Sequence, residues 1–279
     1  MMAMLQDLAG ILRRSGATTR VALAVVCGLG IVALAGPWVV AADPYGIDLH
    51  HALQGPGWRA PLGTDELGRG ILGRLIAGLR LTLALGLASV AIGGSAGLAL
   101  GLAAAYYPRA DQWIMRVLDV VLSFPTILFG LAIVAICGPG AEAVVTSLAL
   151  STMPLTARMI RATAGIEMVR DYVEAARSLG MSDRRLMWRH VMPNCLSTLI
   201  VFSTLRFGQV VLMGSILSFV GLGTQPPVAE LGTMVAEGRN FLFYAPHVAI
   251  LPALLIFIIV LACNLLGDSL RDVVDRRGS

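Results

Sequence analysis

The sequence predicts an all-α, polytopic membrane protein with six membrane-spanning helices. Hydrophobic residues make up 57% of the 279-residue chain and charged residues only 14%. The mean hydropathy is +0.79, which a water-soluble domain would not tolerate at its surface. Apolar runs long enough to cross about 30 Å of hydrocarbon as helices recur along the chain, and most of the charged residues lie between these runs.

The first span is predicted over residues 21–42, a run without any charge. It follows a short basic segment, residues 1–20, which is expected to lie in the cytoplasm. A cleaved signal peptide is the alternative interpretation. The run is too long for a signal-peptide core, and it ends in Gly36, Pro37 and Trp38 rather than in a small-residue cleavage pattern, so a membrane span is favoured.

Residues 43–80 form the first polar connection, expected on the outer side of the membrane. A helix lying at the membrane interface is predicted to start here, because Thr64 can cap it and Asp65 and Glu66 suit its positive end. Apolar residues then recur at helical spacing. They are Leu67, Ile71, Leu72, Leu75, Ile76 and Leu79.

The second span is predicted over residues 81–107. Gly93, Gly97 and Gly101 place a small residue at every fourth position, which predicts close packing against another helix. The same region contains the pattern G-x-S-x-G, with Ser95 at the position of a serine-hydrolase nucleophile. An intramembrane serine protease is therefore an alternative hypothesis. It is disfavoured because that motif needs a strand-to-helix turn and because no predicted span contains a histidine.

Four further spans are predicted from the remaining apolar runs. They cover residues 117–141, 143–160, 195–220 and 248–266. A short turn precedes the third span, and prolines lie inside the third and fourth spans, at Pro125 and Pro154. The charged tail, residues 269–279, follows the last span. A channel or secondary carrier is a further alternative, but we find no internal repeat of the kind that carriers contain.

A charged segment, Asp171 to Asn194, separates the fourth and fifth spans. Together with the residue before it, the segment holds five arginines. Its first half predicts an amphipathic helix that Gly180 ends in the left-handed conformation. Ser182 can cap a second short helix, which Pro193 is predicted to end. The apolar face of the first helix is predicted to contain Met168, Val169, Tyr172, Val173, Ala176 and Leu179.

Two interpretations of this segment need no transport function. A solvated loop between spans is the first. A basic helix-turn-helix that reads DNA is the second. A DNA reader between two membrane spans would be held at the bilayer surface, so no nucleic-acid partner is expected.

The residue pattern of the segment resembles the "EAA" loop of the permease subunits of ABC importers. Three residues separate Ala176 from Gly180, and ten separate Gly180 from Val191. In that family the loop is the coupling element, which sits in a groove of a cytoplasmic ATPase subunit. The resemblance therefore implies an ATPase-coupling role for these residues: Glu174, Ala175, Ala176, Gly180, Arg184 and Pro193.

Three other stretches resemble signatures of the dipeptide, oligopeptide and nickel branch of these permeases, and specifically its C-type subunit. Residues 62–72 resemble "LGTDxxGRDxxSRL", residues 217–227 resemble "LSFLGLGxQPP", and residues 264–272 resemble "NxxGDxLRD". The chain departs from the usual residues at four positions. Gly70 replaces Asp, Gly73 replaces Ser, Leu231 replaces Trp and Arg276 replaces Pro.

The resemblance implies the type I ABC importer permease fold, with a permease core over residues 81–268 and a coupling loop over residues 162–194. It implies a second homologous permease, two cytoplasmic ATPase subunits and an extracytoplasmic solute-binding protein as partners in the bacterial inner membrane. The implied substrate is a dipeptide or oligopeptide, with nickel or another small solute as the alternative. The implied mechanism is alternating access driven by ATP.

No group for covalent chemistry is expected in this chain. It has no lysine, so it cannot form the phosphate-binding loop G-x-x-x-x-G-K-[ST]. ATP and Mg are therefore expected on the partner subunits, and no catalytic residue or cofactor is expected here. The four cysteines are scattered without a C-x-x-C pattern. His50 and His51 are adjacent and seldom converge on one ion, so no metal site is predicted.

The arginines also predict the orientation. Most of them fall in segments that lie inside if the N-terminus is cytoplasmic, so both termini and the charged segment are expected to face the cytoplasm. Arg206 lies inside the fifth span, where a charge is costly and usually faces a polar cavity or a partner charge. It is therefore the candidate for the translocation path, and pairing with a neighbouring subunit is the alternative.

Overall fold

The computed structural model describes residues 17–40 and 43–278. In these residues the regular structure is helical apart from one isolated β-bridge, between Thr64 and Gly70. The helices are α1 (Ala17–Val39), α2 (Ile71–Tyr106), α3 (Pro108–Ser123), α4 (Thr126–Cys137), α5 (Ala141–Met168), α6 (Asp171–Ser178), α7 (Asp183–Leu186), α8 (Met192–Phe219), α9 (Leu231–Gly238) and α10 (His247–Gly278). The predicted all-α class is confirmed. Most of the predicted N-terminal segment, residues 1–20, lies outside the described residues.

Five of these helical stretches are long and apolar enough to cross a membrane. They are α1, α2, α5, α10 and the continuous stretch Asp183–Phe219 that contains α7 and α8. The pair α3 and α4 gives a sixth span only when the two helices are taken together, because they meet at 90°. The third span predicted over residues 117–141 therefore corresponds to two helices joined by a sharp bend rather than to one continuous helix. Phe124 and Pro125 at the bend are both extended, as expected because a proline disfavours the helical conformation of the residue before it.

The predicted interfacial helix starting at Thr64 is also wrong. The Thr64 hydroxyl accepts a hydrogen bond from the Gln54 N–H at 2.9 Å and donates to the His51 carbonyl, so it links two parts of the loop over residues 43–70. Gly68 has a φ of +74°, which interrupts any helix begun at this point. Helix α2 starts instead at Ile71 and continues for 36 residues. The predicted apolar stripe from Ile71 onward thus forms the first turns of the span itself.

Four charged side chains form a buried ionic cluster at the N-terminal end of α2, and the sequence analysis did not identify it. Asp65 Oδ2 lies 2.6 Å from Arg69 Nε and 3.3 Å from Arg74 Nε. Glu237 Oε2 lies 2.8 Å from Arg74 Nη2 and 3.7 Å from Arg69 Nη2. The two arginines are only 2% and 1% exposed. With two charges of each sign, the cluster joins the loop over residues 43–70, α2 and α9.

Helix α9 begins at a buried carboxylate. Glu230, which is 1% exposed, accepts hydrogen bonds from the backbone N–H groups of Gly232 at 3.0 Å and Thr233 at 2.9 Å. The Thr82 hydroxyl of α2 donates to the same carboxylate at 2.9 Å. The free N–H groups and the dipole of a helix N-terminus stabilise such a charge, so Glu230 fixes α9 against α2.

The glycine row of α2 lies against α5. A Cβ atom added at Gly93, Gly97 or Gly101 would lie 2.6 Å from an atom of α5 in each case. Real Cβ contacts of that length essentially do not occur, so the two backbones approach as closely as they do only because these side chains are absent. Helix α5 is longer than the span predicted over residues 143–160, and it contains Pro154 without a break.

Candidate functional site

The charged segment folds as a compact unit on the ends of α5 and α8. Val173 and Ala176 of α6 are 0% and 8% exposed, and they belong to one apolar cluster with residues of α5 and α8. Ile160, Ala164, Leu186, Val191 and Cys195 complete its buried part. Val169 and Leu179, which were predicted on the same apolar face, are 78% and 88% exposed instead.

Gly180 ends α6 in the left-handed region, with a φ of +78°. The Gly180 N–H donates to the Arg177 carbonyl at 3.0 Å, and the Met181 N–H donates to the Ala176 carbonyl at 3.2 Å. This pair of hydrogen bonds is the Schellman motif that commonly closes helices. A Cβ atom at Gly180 would meet nothing within 4 Å. Glycine is therefore favoured here by its backbone conformation rather than by lack of space.

The second half of the segment differs from the prediction, because Pro193 does not end a helix. The chain is helical without interruption from Asp183 to Phe219. A π-turn over Met187–Val191 precedes Pro193, which lies in the first turn of α8. Proline lacks an N–H and clashes with the preceding turn of a regular helix. The π-turn changes the hydrogen-bond pattern at this position, so the helix can pass through the proline.

Most of the residues predicted for coupling form an exposed surface. Ala176 is the exception, because its side chain is buried in the apolar cluster that α6 forms with α5 and α8. Arg184 also lines a cavity of about 680 Å³ between α2 and α7. The exposed residues of the predicted set are Glu174, Ala175, Gly180, Arg184 and Pro193.

A polar network that the sequence analysis missed fixes α6 to both neighbouring spans. The Tyr172 hydroxyl donates to Glu167 Oε2 of α5 at 2.5 Å and accepts from Asn194 Nδ2 of α8 at 3.0 Å. Arg170 Nε lies 3.1 Å from the other Glu167 oxygen. Burial and the hydrogen bond to Glu167 raise the pKa of Tyr172. The one signal in the sequence is Glu167 itself, an acid in the last turn of α5.

Arg206 lies near the middle of α8, 14 residues after Met192 and 13 before Phe219. Its Nη1 donates to Gln209 Oε1. Its Nε is buried and has no hydrogen-bond partner in the described part of the chain. Arg206 makes no ion pair with any residue between 17 and 40 or 43 and 278.

The alternative chemistries find no matching geometry in the described residues. Ser95 lies inside α2 and donates to the Ile92 carbonyl at 3.0 Å, so it is not on the strand-to-helix turn that a hydrolase nucleophile needs. His51 Nδ1 lies 2.7 Å from Asp48 Oδ2, and this hydrogen bond lowers the pKa of Asp48. Nowhere in residues 17–40 and 43–278 do three His, Cys, Asp or Glu side chains converge as metal ligands would.

The chain is similar in sequence to curated permeases. Residues 97–278 match the family described as "Binding-protein-dependent transport system inner membrane component". The glutathione transport system permease protein GsiD of Pectobacterium atrosepticum is 42% identical over 260 residues, which are 91% of this chain and 86% of that protein. The di/tripeptide transport system permease protein DppC of Pseudomonas aeruginosa is 46% identical over 250 residues, which are 87% of this chain and 82% of that protein.

Solved structures give the same fold. A chain of the MetNI methionine ABC transporter, in an inward-facing conformation, matches with a TM-score of 0.60 and 21% identity over 73% of this chain and 97% of its own. An amino acid ABC transporter crystallised with histidines matches with a TM-score of 0.56 and 24% identity over 73% of this chain and 94% of its own. This chain has the ABC importer permease fold, and it belongs to the family of binding-protein-dependent transport system inner membrane components.

Proposed function

We propose that this chain is one of the two permease subunits of an ATP-driven importer of dipeptides or oligopeptides. The observation that carries the coupling role is the exposed surface of the charged segment, held rigidly to α5 and α8 by Tyr172 and its network. The likeness to the GsiD and DppC proteins favours a peptide as the substrate. Nickel or another small solute is the alternative.

Exposed apolar side chains support docking of an ATPase on this segment. Val169, Leu179 and Trp188 are 78%, 88% and 62% exposed, although they lie among charged residues. Apolar groups rimmed by polar ones are typical of protein interaction surfaces. Two cytoplasmic ATPase subunits would bind ATP and Mg, a second permease would complete the path, and an extracytoplasmic binding protein would deliver the solute. The chain itself would catalyse no covalent reaction.

The orientation follows from the same proposal. The charged segment and both termini face the cytoplasm, and the loop over residues 43–70 faces outward, in a bacterial inner membrane. This orientation agrees with the distribution of arginines. Cysteines introduced at Ser182 and Gln225 test it, because impermeant reagents should label the first only from inside and the second only from outside.

Reconstitution tests the function. The complete transporter, with its ATPase subunits and binding protein, should accumulate a labelled dipeptide in liposomes only when ATP is supplied on the ATPase side. The purified chain alone should hydrolyse no ATP. ATP-dependent accumulation of nickel without any peptide uptake would establish the alternative substrate, and hydrolysis by the isolated chain would contradict the subunit role.

Gly180→Val should weaken coupling without preventing insertion. A β-branched residue in the left-handed conformation costs about 1–2 kcal/mol locally, which is small beside the burial of several spans. The angle between α6 and α7 should change, and the ATPase should dock poorly. Copurification of the ATPase and substrate-stimulated hydrolysis measure this effect.

Gly180→Asn is the matched control, because asparagine adopts positive φ more readily than other residues. It fills the same open space, and it should couple better than the valine variant. If the Gly180→Val protein couples as wild type does, the charged segment is only a solvated loop.

A further inference from the structure

Two long helices expose stripes of opposite character. On α10 the exposed residues at helical spacing are all apolar and are between 39% and 60% exposed. They are Ile250, Leu254, Phe257, Leu261 and Leu265. Such a stripe suits lipid chains. On α8 the stripe at the same spacing contains the half-buried Arg206 and the exposed Gln209 between apolar residues at either end.

The polar pair on α8 lies at the depth where a charge is most costly. Arg206 is at the centre of a 28-residue helix, about 20 Å of helix from either end. A charged side chain at that depth faces a water-filled cavity or a partner rather than lipid. The other sides of α8 are occupied by close contacts. A Cβ atom added at Gly208 would lie 3.0 Å from the Asn264 side chain of α10, and one at Gly214 would lie 3.2 Å from Leu148 of α5.

The pair presents hydrogen-bond donors without a matching anion. A guanidinium group only donates, so the Gln209 oxygen must face Arg206, as it does, and the amide nitrogen of Gln209 remains as a donor. The Arg206 Nε has no acceptor in the described part of the chain. A carboxylate has the charge and the two acceptor oxygens that a guanidinium binds bidentately.

We propose that Arg206 and Gln209 bind the C-terminal carboxylate of the peptide as it crosses the membrane. This assignment rests on the proposed peptide-import function. The remaining lining of the α8 stripe, Phe202 and Met213, is apolar and would accept different peptide side chains. Arg206 would therefore select for a free carboxylate while leaving the side-chain specificity broad.

The test compares a dipeptide with its C-terminal amide in the complete reconstituted transporter. Uptake of both is measured for wild type, Arg206→Gln and Arg206→Lys at saturating binding protein. The binding protein is the same in every sample, so its own preference cancels when acid-to-amide ratios are compared. Arg206→Gln should lower the ratio about tenfold or more, because hydrogen bonds to a charged group are lost. Arg206→Lys keeps the charge but not the planar guanidinium that forms two parallel hydrogen bonds, so it should lower the acid-to-amide ratio less.

Arg239→Gln is the matched control. Arg239 lies outside the spans, and its guanidinium stacks over the Phe219 ring at 5.5 Å, so the ratio should be unchanged. If Arg206→Gln slows acid and amide equally in an intact complex, the assignment is wrong. If the purified Arg206→Gln complex has lost the second permease, Arg206 pairs with that subunit. This result would also overturn the assignment. A wild-type transporter that moves neither peptide but moves another solute would refute the proposed substrate instead.

Discussion

Arg74→Met should strongly destabilise the protein. Arg74 is 1% exposed and lies 2.8 Å from Glu237, and its loss leaves that carboxylate with Arg69 alone, at 3.7 Å. The cluster then carries a net negative charge in a buried site. Removing one partner of a buried ion pair typically costs about 3–5 kcal/mol. The thermal unfolding midpoint of the purified transporter and the amount of the chain in the membrane should both fall.

The double variant Arg74→Met/Glu237→Gln separates charge from packing. It leaves Asp65 and Arg69 as a neutral pair at 2.6 Å, so it should be more stable than Arg74→Met alone. If the stability losses of Arg74→Met and of Glu237→Gln, each measured alone, add up to the loss of the double variant, the two side chains have no energetic coupling.

The pH dependence of Arg74→Met gives a second readout. Burial raises the pKa of Glu237 above its usual value of 4.5, and Arg74 opposes this shift, so the variant should raise that pKa further. A group whose pKa is raised on folding stabilises the folded state below its unfolded pKa and loses that contribution as the pH rises through the raised value. The loss of stability of the Arg74→Met variant relative to wild type should therefore shrink as the pH falls toward 4.5.

Gly97→Ala should force α2 away from α5. The added Cβ atom would lie 2.6 Å from Thr156 Cβ and 2.7 Å from the Met153 carbonyl oxygen. Neither the backbone oxygen nor a branched Cβ can move by a rotamer change. Overpacking of this kind costs about 1–3 kcal/mol. The variant should unfold at a lower temperature and transport more slowly, because the two helices no longer move as one body.

Gly94→Ala is the control from the same turn of the helix. Its Cβ atom would lie 3.9 Å from the nearest atom, the Ser203 hydroxyl oxygen. Alanine favours a helix over glycine by about 1 kcal/mol, so this variant should be as stable as wild type or more so. Equal effects of the two substitutions would mean that the contact with α5 does not limit stability.

The sequence predicted those features that depend on neighbouring residues alone. The apolar runs and the row Gly93, Gly97 and Gly101 each follow from spacing along one segment. The prolines show where such reasoning ends. Pro125 lies at a 90° bend, Pro154 lies inside an unbroken helix, and Pro193 follows a π-turn. Each of the three prolines follows an apolar residue in the sequence, but their outcomes in the fold differ, so the residue type alone does not predict them.

Polar contacts between residues that are far apart in the sequence explain the other differences. Thr64, Asp65 and Glu66 carry local signals for a helix start, but Asp65 is used by the ionic cluster, which includes a partner of Arg74 that is 163 residues away in the chain. The Glu167, Tyr172 and Asn194 network likewise joins three helices. The exposed residues that are proposed for coupling were identified from their pattern along the sequence, whereas the side chains that hold them in place were not.

The unbroken helix from Asp183 to Phe219 has a geometric consequence. Its 37 residues form a rod about 55 Å long, so a tilt imposed at one end is carried to the other. The direction in which Arg206 points is then an angle about the helix axis. The number of residues between Arg206 and α7 sets this angle. One residue inserted within Met187–Val191 would rotate everything beyond it by about 100° relative to α7. The π-turn thus sets which way the guanidinium faces for a given orientation of the coupling surface.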